Sequence, residues 1–165
     1  MIRDHDTIAA PATAAGGALA VIRISGEEAL RICDRIFRGR EPLAAAAGYT
    51  VHYGEIVDDG RVLDDVLVTV FRAPRSYTGE DAAEISCHGS QYIVSEILRL
   101  LTALQTTDRE HVVTPANWQP GQPALVPPPR TYDELLSRQN NPQAQHLECE
   151  DWFLCSRQIP GEAKQ

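Results

Sequence analysis

Prolines divide this chain in two. Only Pro11, Pro42 and Pro74 fall within residues 1–105, whereas the other eight of the eleven lie within residues 106–165. Proline fixes φ and removes a backbone donor, so no long helix and no central strand can cross a segment punctuated in this way. Thr114-Pro115-Ala116-Asn117-Trp118-Gln119-Pro120-Gly121 and Pro127-Pro128-Pro129 therefore read as turning or extended chain. One short helix fits there, Thr131 to Arg138, with Thr131 as N-cap and Glu134 at the third position. An apolar fraction of 43% matches an ordinary globular protein and hides this break. The expected organisation is a packed domain over residues 1–105, then an extended or mobile Pro-rich tail over 106–165. Ordering that tail costs about 1–2 kcal/mol per residue, and few periodic apolar positions offset it.

The first part alternates short elements. Thr7 to Thr13 suits a strand ending in a loop at Pro11, and after Gly16-Gly17 the run Ala18 to Ile24 reads as a central strand. Ser25 and Glu28 form a capping-box pattern before an amphipathic helix over 26–38, closed by Gly39. Tyr49 to Val57 and Arg61 to Phe71 flank Asp58-Asp59-Gly60 as a hairpin, with Val66, Val68 and Val70 sharing one face. Ala82 to Cys87 is a further strand, and Ser90 to Leu104 a helix. The fold class is α+β: a mostly antiparallel sheet with two packed helices, followed by the tail.

Charge excludes several functions. The chain carries 23 acidic against 15 basic residues, divided 15 to 10 before residue 106 and 8 to 5 after it. No basic stripe is available for a direct grip on nucleic acid. Lys164 is the only lysine, so the phosphate loop G-x-x-x-x-G-K-[ST] does not occur and GTP is not expected to bind. No apolar run is long enough for a membrane span, and Met1 to Asp6 does not resemble a signal peptide. Four cysteines without zinc-type spacing point to a reducing, cytoplasmic setting, with no metal expected.

Arg75 to Gly89 carries the densest chemistry. Ser76, Thr78 and Gly79 are turn formers, after which Ala83, Ile85 and Cys87 take one face of a strand and Glu84 and Ser86 the other. His88-Gly89-Ser90 then interrupts the pattern before a helix. A strand carboxylate beside a glycine that opens a helix can build a small-molecule site, although Glu84 also fits a plain solvent-facing carboxylate and Gly89 a mere relief of crowding. Arg23 is a charge at the end of an apolar strand and needs a partner, either an acidic neighbour or a ligand in Glu84's cavity. Cys33 fits the helix core. Cys149 and Cys155 flank Trp152-Phe153, where the aromatics read as an apolar anchor and the cysteines as a pair for thiol–disulfide chemistry.

Three stretches resemble the N-terminal domain of the MnmE/TrmE tRNA-modification GTPase family: Asp6-Thr7-Ile8-Ala9 through Gly16-Gly17-Ala18, Val21-Ile22-Arg23-Ile24-Ser25-Gly26, and Phe71 through Gly89. The resemblance covers about residues 4–102. It implies a domain that pairs with itself and binds 5-formyltetrahydrofolate or another reduced folate. Arg23 and Glu84 match the folate-contacting arginine and glutamate, with His88 and Gly89 shaping the pocket. An MnmG-type flavoprotein is the implied partner, and the wobble uridine of tRNA the implied target. After Leu101 the family's proline-glycine-glutamate-phenylalanine segment and its folate-contacting lysine turn are absent.

Ala103-Leu104-Gln105, Thr114 through Gly121, Val126-Pro127-Pro128-Pro129 and Cys149 through Cys155 resemble instead the C-terminal arm of a long-tailed peroxiredoxin, over about residues 103–159. That match implies Cys155 as a resolving cysteine with Cys149 beside it, yet the peroxidatic proline–threonine–cysteine motif is missing. The expected protein is a truncated MnmE-like chain without a GTPase part, not an active enzyme alone. The alternative is a non-catalytic chimeric relic, a gene fusion whose arm mediates interaction.

Overall fold

A computed structural model of the chain describes residues 6–140 and 146–160; Met1–His5 and Lys164 lie outside the described residues. The chain divides into two units, Met1–Leu101 and Thr102–Gln165.

In the first unit, β1 (Ile8–Pro11) pairs antiparallel with β2 (Leu19–Ser25), the apolar run that follows Gly16-Gly17. A short helix α1 (Ala29–Asp34) leads to β3 (Phe37–Gly39), a 3₁₀ turn over Leu43–Ala45, and the hairpin β4 (Thr50–Asp58) and β5 (Arg61–Phe71). β6 (Ala82–His88) then enters between β2 and β5, and α2 (Gln91–Glu110) follows. The sheet order is β1-β2-β6-β5-β4-β3, antiparallel at every pairing. The α+β class read from the sequence is the class observed.

Alternation decides what the sheet buries. Ile22 and Ile24 of β2, Ala83 and Ile85 of β6, and Val68 and Val70 of β5 are fully buried, together with Ile32 and Cys33 of α1 and Ile97 and Leu101 of α2. Each of the isoleucine, valine and leucine side chains contributes about 1.5–3 kcal/mol by leaving water. The opposite face keeps Leu19, Val51, Tyr53 and Leu67 exposed. At the far edge Gly39 and Gly54 pair across β3 and β4, and a Cβ on either would fall within 2.6 Å of the Phe37 ring. The two glycines make room for that ring.

The first helix is shorter than the span 26–38 read from its periodicity. Ser25 does not cap it, because its Oγ lies 2.6 Å from Thr78 Oγ1 and donates to Glu80 Oε2 at 3.0 Å. Gly26, at φ +137°, packs against Thr7 and opens only a single turn, its carbonyl accepting from the Ala29 amide at 3.1 Å, before the helix begins at Ala29. Phe37 and Arg38 are drawn into pairing with β4. Tertiary hydrogen bonds override helix propensity at both ends.

The second unit holds a small sheet in the order β7-β9-β8, made of β7 (Pro123–Val126), β8 (Glu148–Asp151) and β9 (Leu154–Gln158), besides α3 (Tyr132–Asn140). The helix read at Thr131–Arg138 is present: Thr131 Oγ1 accepts from the Glu134 amide at 3.2 Å, and Glu134 Oε2 from the Arg130 amide at 2.8 Å. The sheet was not anticipated. Its apolar cluster is Ala103, Val112, Trp118, Ala124 and Ile159, with Trp118 2% exposed and its Nε1 donating to the Gln122 carbonyl.

Arg157 of β9 donates to the main-chain oxygen of Glu110 at 2.6 Å and to its carboxylate at 3.1 Å, closing the end of α2. Partial burial pushes the Glu110 carboxyl upward, but hydrogen bonds from Arg157 and Arg109 outweigh it and hold the group below the usual carboxylate range. A depressed folded pKa gives stability that is full above the ordinary carboxylate pKa of about 4.3 and lost as pH falls through the folded value. Near-UV circular dichroism of the Trp118 environment should therefore show acid loosening of this unit below that range. Glu110→Gln should reduce that pH dependence; an unchanged profile would remove Glu110 as its source.

Gly89 gives a second prediction. A Cβ there would meet the Gly17 carbonyl oxygen at 2.1 Å, while Gly16 N–H donates to Gly89 O and Gly89 N–H to Ala18 O. Gly89→Ala should cost about 2–3 kcal/mol in urea unfolding by forcing two backbones apart. Wild-type stability in that variant would show that the loop moves aside freely.

Candidate functional site

The register of β2 against β6 places Arg23 directly opposite Glu84. Both side chains leave the sheet on the face away from the buried isoleucines. Arg23 donates from Nε at 3.0 Å and from Nη2 at 2.5 Å, and both bonds end on Glu84 Oε1. The side chains are 35% and 22% exposed, so the pair is half-buried. Glu84 Oε2 and Arg23 Nη1 make no hydrogen bond among the described residues. One cation and one anion thus hold each other while each keeps a polar atom without a hydrogen bond, which suits a molecule with both N–H donors and an oxygen acceptor.

The turn between β5 and β6 closes over this pair. Arg72 anchors it, donating from Nη1 to Asp81 at 2.7 Å and from Nη2 to the Ala46 carbonyl at 3.0 Å; Asp81 also accepts from the Ala73 amide. The Ala73–Pro74 peptide is cis, and Gly79 supplies the one positive φ of the turn, +80°. Ser76 Oγ donates to the Glu80 carbonyl at 2.6 Å. Tyr77 is held at the crest, its ring centroid 4.5 Å from the Arg23 guanidinium carbon and edge-to-face with Phe71. Beside Arg23 lies a cavity of about 260 Å³, walled by Ile8, Ala10 and Pro11 of β1 and by Ser25, Thr78 and Glu80. Among the described residues there is no group of three or more His, Cys, Asp or Glu side chains fit to hold a metal ion.

Of the four residues that the sequence assigns to a folate pocket, Arg23 and Glu84 come together. His88 stands four residues further along β6, roughly 13 Å at strand spacing. There its amide donates to Asp64 Oδ2 at 2.8 Å, and its Nδ1 is 2.6 Å from Asp64 Oδ1. Gly89 packs on Gly17. Tyr77, Arg72 and Ser25 were missed as site residues; the signal for Tyr77 was its place between turn formers beside an apolar strand.

Cys149 and Cys155 face each other across β8 and β9 and form a disulfide. The reducing setting read from the cysteine spacing implies free, accessible thiols in the tail; the register instead brings these two Cα atoms to 4.0 Å and joins the pair. Trp152 and Phe153 stack edge-to-face in the intervening turn and remain about half exposed.

The family model described as GTP-binding protein TrmE N-terminus matches residues 7–115, the whole of the sheet and the turn that carries Tyr77. The chain belongs to that family. Relatives of the TrmE domain named tRNA modification GTPase MnmE include that of Listeria welshimeri, 50% identical over 99 residues, covering 59% of this chain and 22% of that protein. The Flavobacterium johnsoniae protein is 52% identical over 101 residues, with 59% and 22% covered, and that of Cytophaga hutchinsonii 53% over 97 residues, with 58% and 21% covered. The chain thus spans about a fifth of the length of these curated relatives. A second model, the C-terminal domain of 1-Cys peroxiredoxin, matches residues 103–141. No helix among the described residues is long and apolar enough to cross a membrane.

The remaining thiols are shielded. Burial pushes the Cys33 thiol far above its ordinary range, with Asp34 adding to the effect, and burial followed by Asp64 raises Cys87. Titration of the native, non-reduced protein with a thiol reagent should find no fast thiol, two after denaturation and four after reduction as well. Two fast thiols in the native state would mean that Cys149 and Cys155 are not joined.

Proposed function

We propose that this chain is a reduced-folate-binding, self-pairing module of the MnmE type, serving wobble-uridine modification of tRNA. The observation that carries the reading is the Arg23–Glu84 pair, on adjacent strands of a TrmE-type domain, with both Arg23 hydrogen bonds ending on Oε1 of the glutamate. A pterin edge presents an amidine-like pair of N–H donors, which a carboxylate accepts as charge-assisted hydrogen bonds. Arginine complements the oxygen of a formyl group or the carboxylates of a folate tail. 5-Formyltetrahydrofolate has both features. The exposed face bearing Leu19, Val51, Tyr53 and Leu67 supports pairing with a second copy. The cytoplasm and an MnmG-type flavoprotein are the setting and partner that go with this reading. GTP hydrolysis is not assigned to these 165 residues, whose sequence lacks the phosphate loop.

A second reading concerns the C-terminal unit. Its peroxiredoxin-type match over 103–141 and the exposed Trp152-Phe153 turn beyond it support an interaction arm without peroxidase activity.

Titration calorimetry of the full chain with 5-formyltetrahydrofolate tests the main reading. Binding is expected, and Glu84→Ala should weaken it by about 2–4 kcal/mol, the general cost of removing a charged partner from a desolvated pair. Equal affinities would take Glu84 out of the site, and no heat with wild type would end the folate reading.

A further inference from the structure

Tyr77 is 76% exposed and yet fixed in place. Its ring meets Phe71 edge-to-face at 5.7 Å, Phe71 meets Tyr49 in the same manner at 5.8 Å, and the Tyr49 hydroxyl donates to the Arg75 carbonyl at 2.9 Å. On the other side of the turn, Thr78 Oγ1 lies 2.6 Å from Ser25 Oγ. A row of three aromatics and a backbone hydrogen bond therefore immobilise a ring that buries little surface of its own. Stability alone does not account for such a support.

Besides meeting Phe71, the ring lies against Arg23. Two N–H groups of that guanidinium are taken up by a single oxygen of Glu84, a contact made along one edge only. An edge contact to one oxygen leaves the guanidinium able to swivel. A cation over an aromatic face, 4.5 Å from its centroid, removes that freedom. We infer that Tyr77 is a positioning residue, whose aromatic face holds the Arg23 guanidinium so that Nη1 and the Glu84 Oε2 present a fixed donor–acceptor pair to the ligand. This rests on the folate reading above, in which both atoms are used. The ligand oxygen, from a formyl group or a carboxylate, meets the guanidinium on the side away from the ring.

Full-length chain carrying Tyr77→Phe, Tyr77→Trp or Tyr77→Leu is titrated calorimetrically with 5-formyltetrahydrofolate beside wild type. Phe and Trp keep an aromatic face and should bind within about threefold of wild type, whereas Leu should weaken binding roughly 5–30-fold. Thermal midpoints should barely move, because the ring is mostly in water. Leu binding like wild type would overturn the inference, and so would Phe binding as weakly as Leu, which would assign the effect to the hydroxyl. The Arg23 Nε–H proton resonance, recorded without ligand, decides the positioning independently. Ring-current displacement should be present in wild type and Tyr77→Phe and lost in Tyr77→Leu; an unchanged resonance in Tyr77→Leu would refute it. Absence of binding by wild type would defeat the folate reading, while the resonance still decides whether Tyr77 holds Arg23.

Discussion

The antiparallel register of β2 against β6 governs the first unit. Ile22 faces Ile85 and Arg23 faces Glu84, so one set of residue pairs builds the core and the next builds the site. A slip of one residue would turn Arg23 and Glu84 toward the helices and their aliphatic partners toward water. The cost of burying those charges unpaired, set against the loss of several buried isoleucines, makes the alternative registers inaccessible. Stability and site geometry are thus specified by the same hydrogen-bond ladder.

That coupling explains why β-strand residues were legible in the sequence. Alternation in Ala82–Cys87 and in Val66–Val70 has a period fixed by the pleat, so Glu84 and Leu67 could be placed opposite the core without knowing the partner strands. The pairing of Arg23 with Glu84, 61 residues apart, left no local trace; beside the family resemblance, only the need of a charge for a counter-charge pointed to it. Helix boundaries failed for the converse reason. Ser25 and Glu28 satisfy the capping pattern, but Thr78 and Glu80, more than 50 residues away, compete for the Ser25 hydroxyl and win.

His88 illustrates what a motif conceals. It ends β6 next to Gly89, yet it is held by Asp64 from β5, a carboxylate nearly removed from solvent that accepts from both the amide and the ring of one residue. Two bonds to the same carboxylate fix the strand exit at the point where Gly89 meets Gly17. The tight exit expected from His88-Gly89 is real, and its cause is this convergence of Asp64 and the Gly16-Gly17 loop.

The two family matches overlap at residues 103–115, and α2 runs through the first part of the overlap. A helix can serve two units at once better than a strand can. Its hydrogen bonds are internal, so each side requires only an apolar stripe at helical spacing. Val94, Ile97 and Leu101 satisfy the first unit, and Ala103 joins Val112 and Trp118 in the second. No strand register has to be shared across residue 102. The proline-rich remainder then needs a core of its own, and its bulkiest member is Trp118, enclosed between turns that proline and glycine make possible. The same prolines that forbid long elements here set the loops that close around that ring.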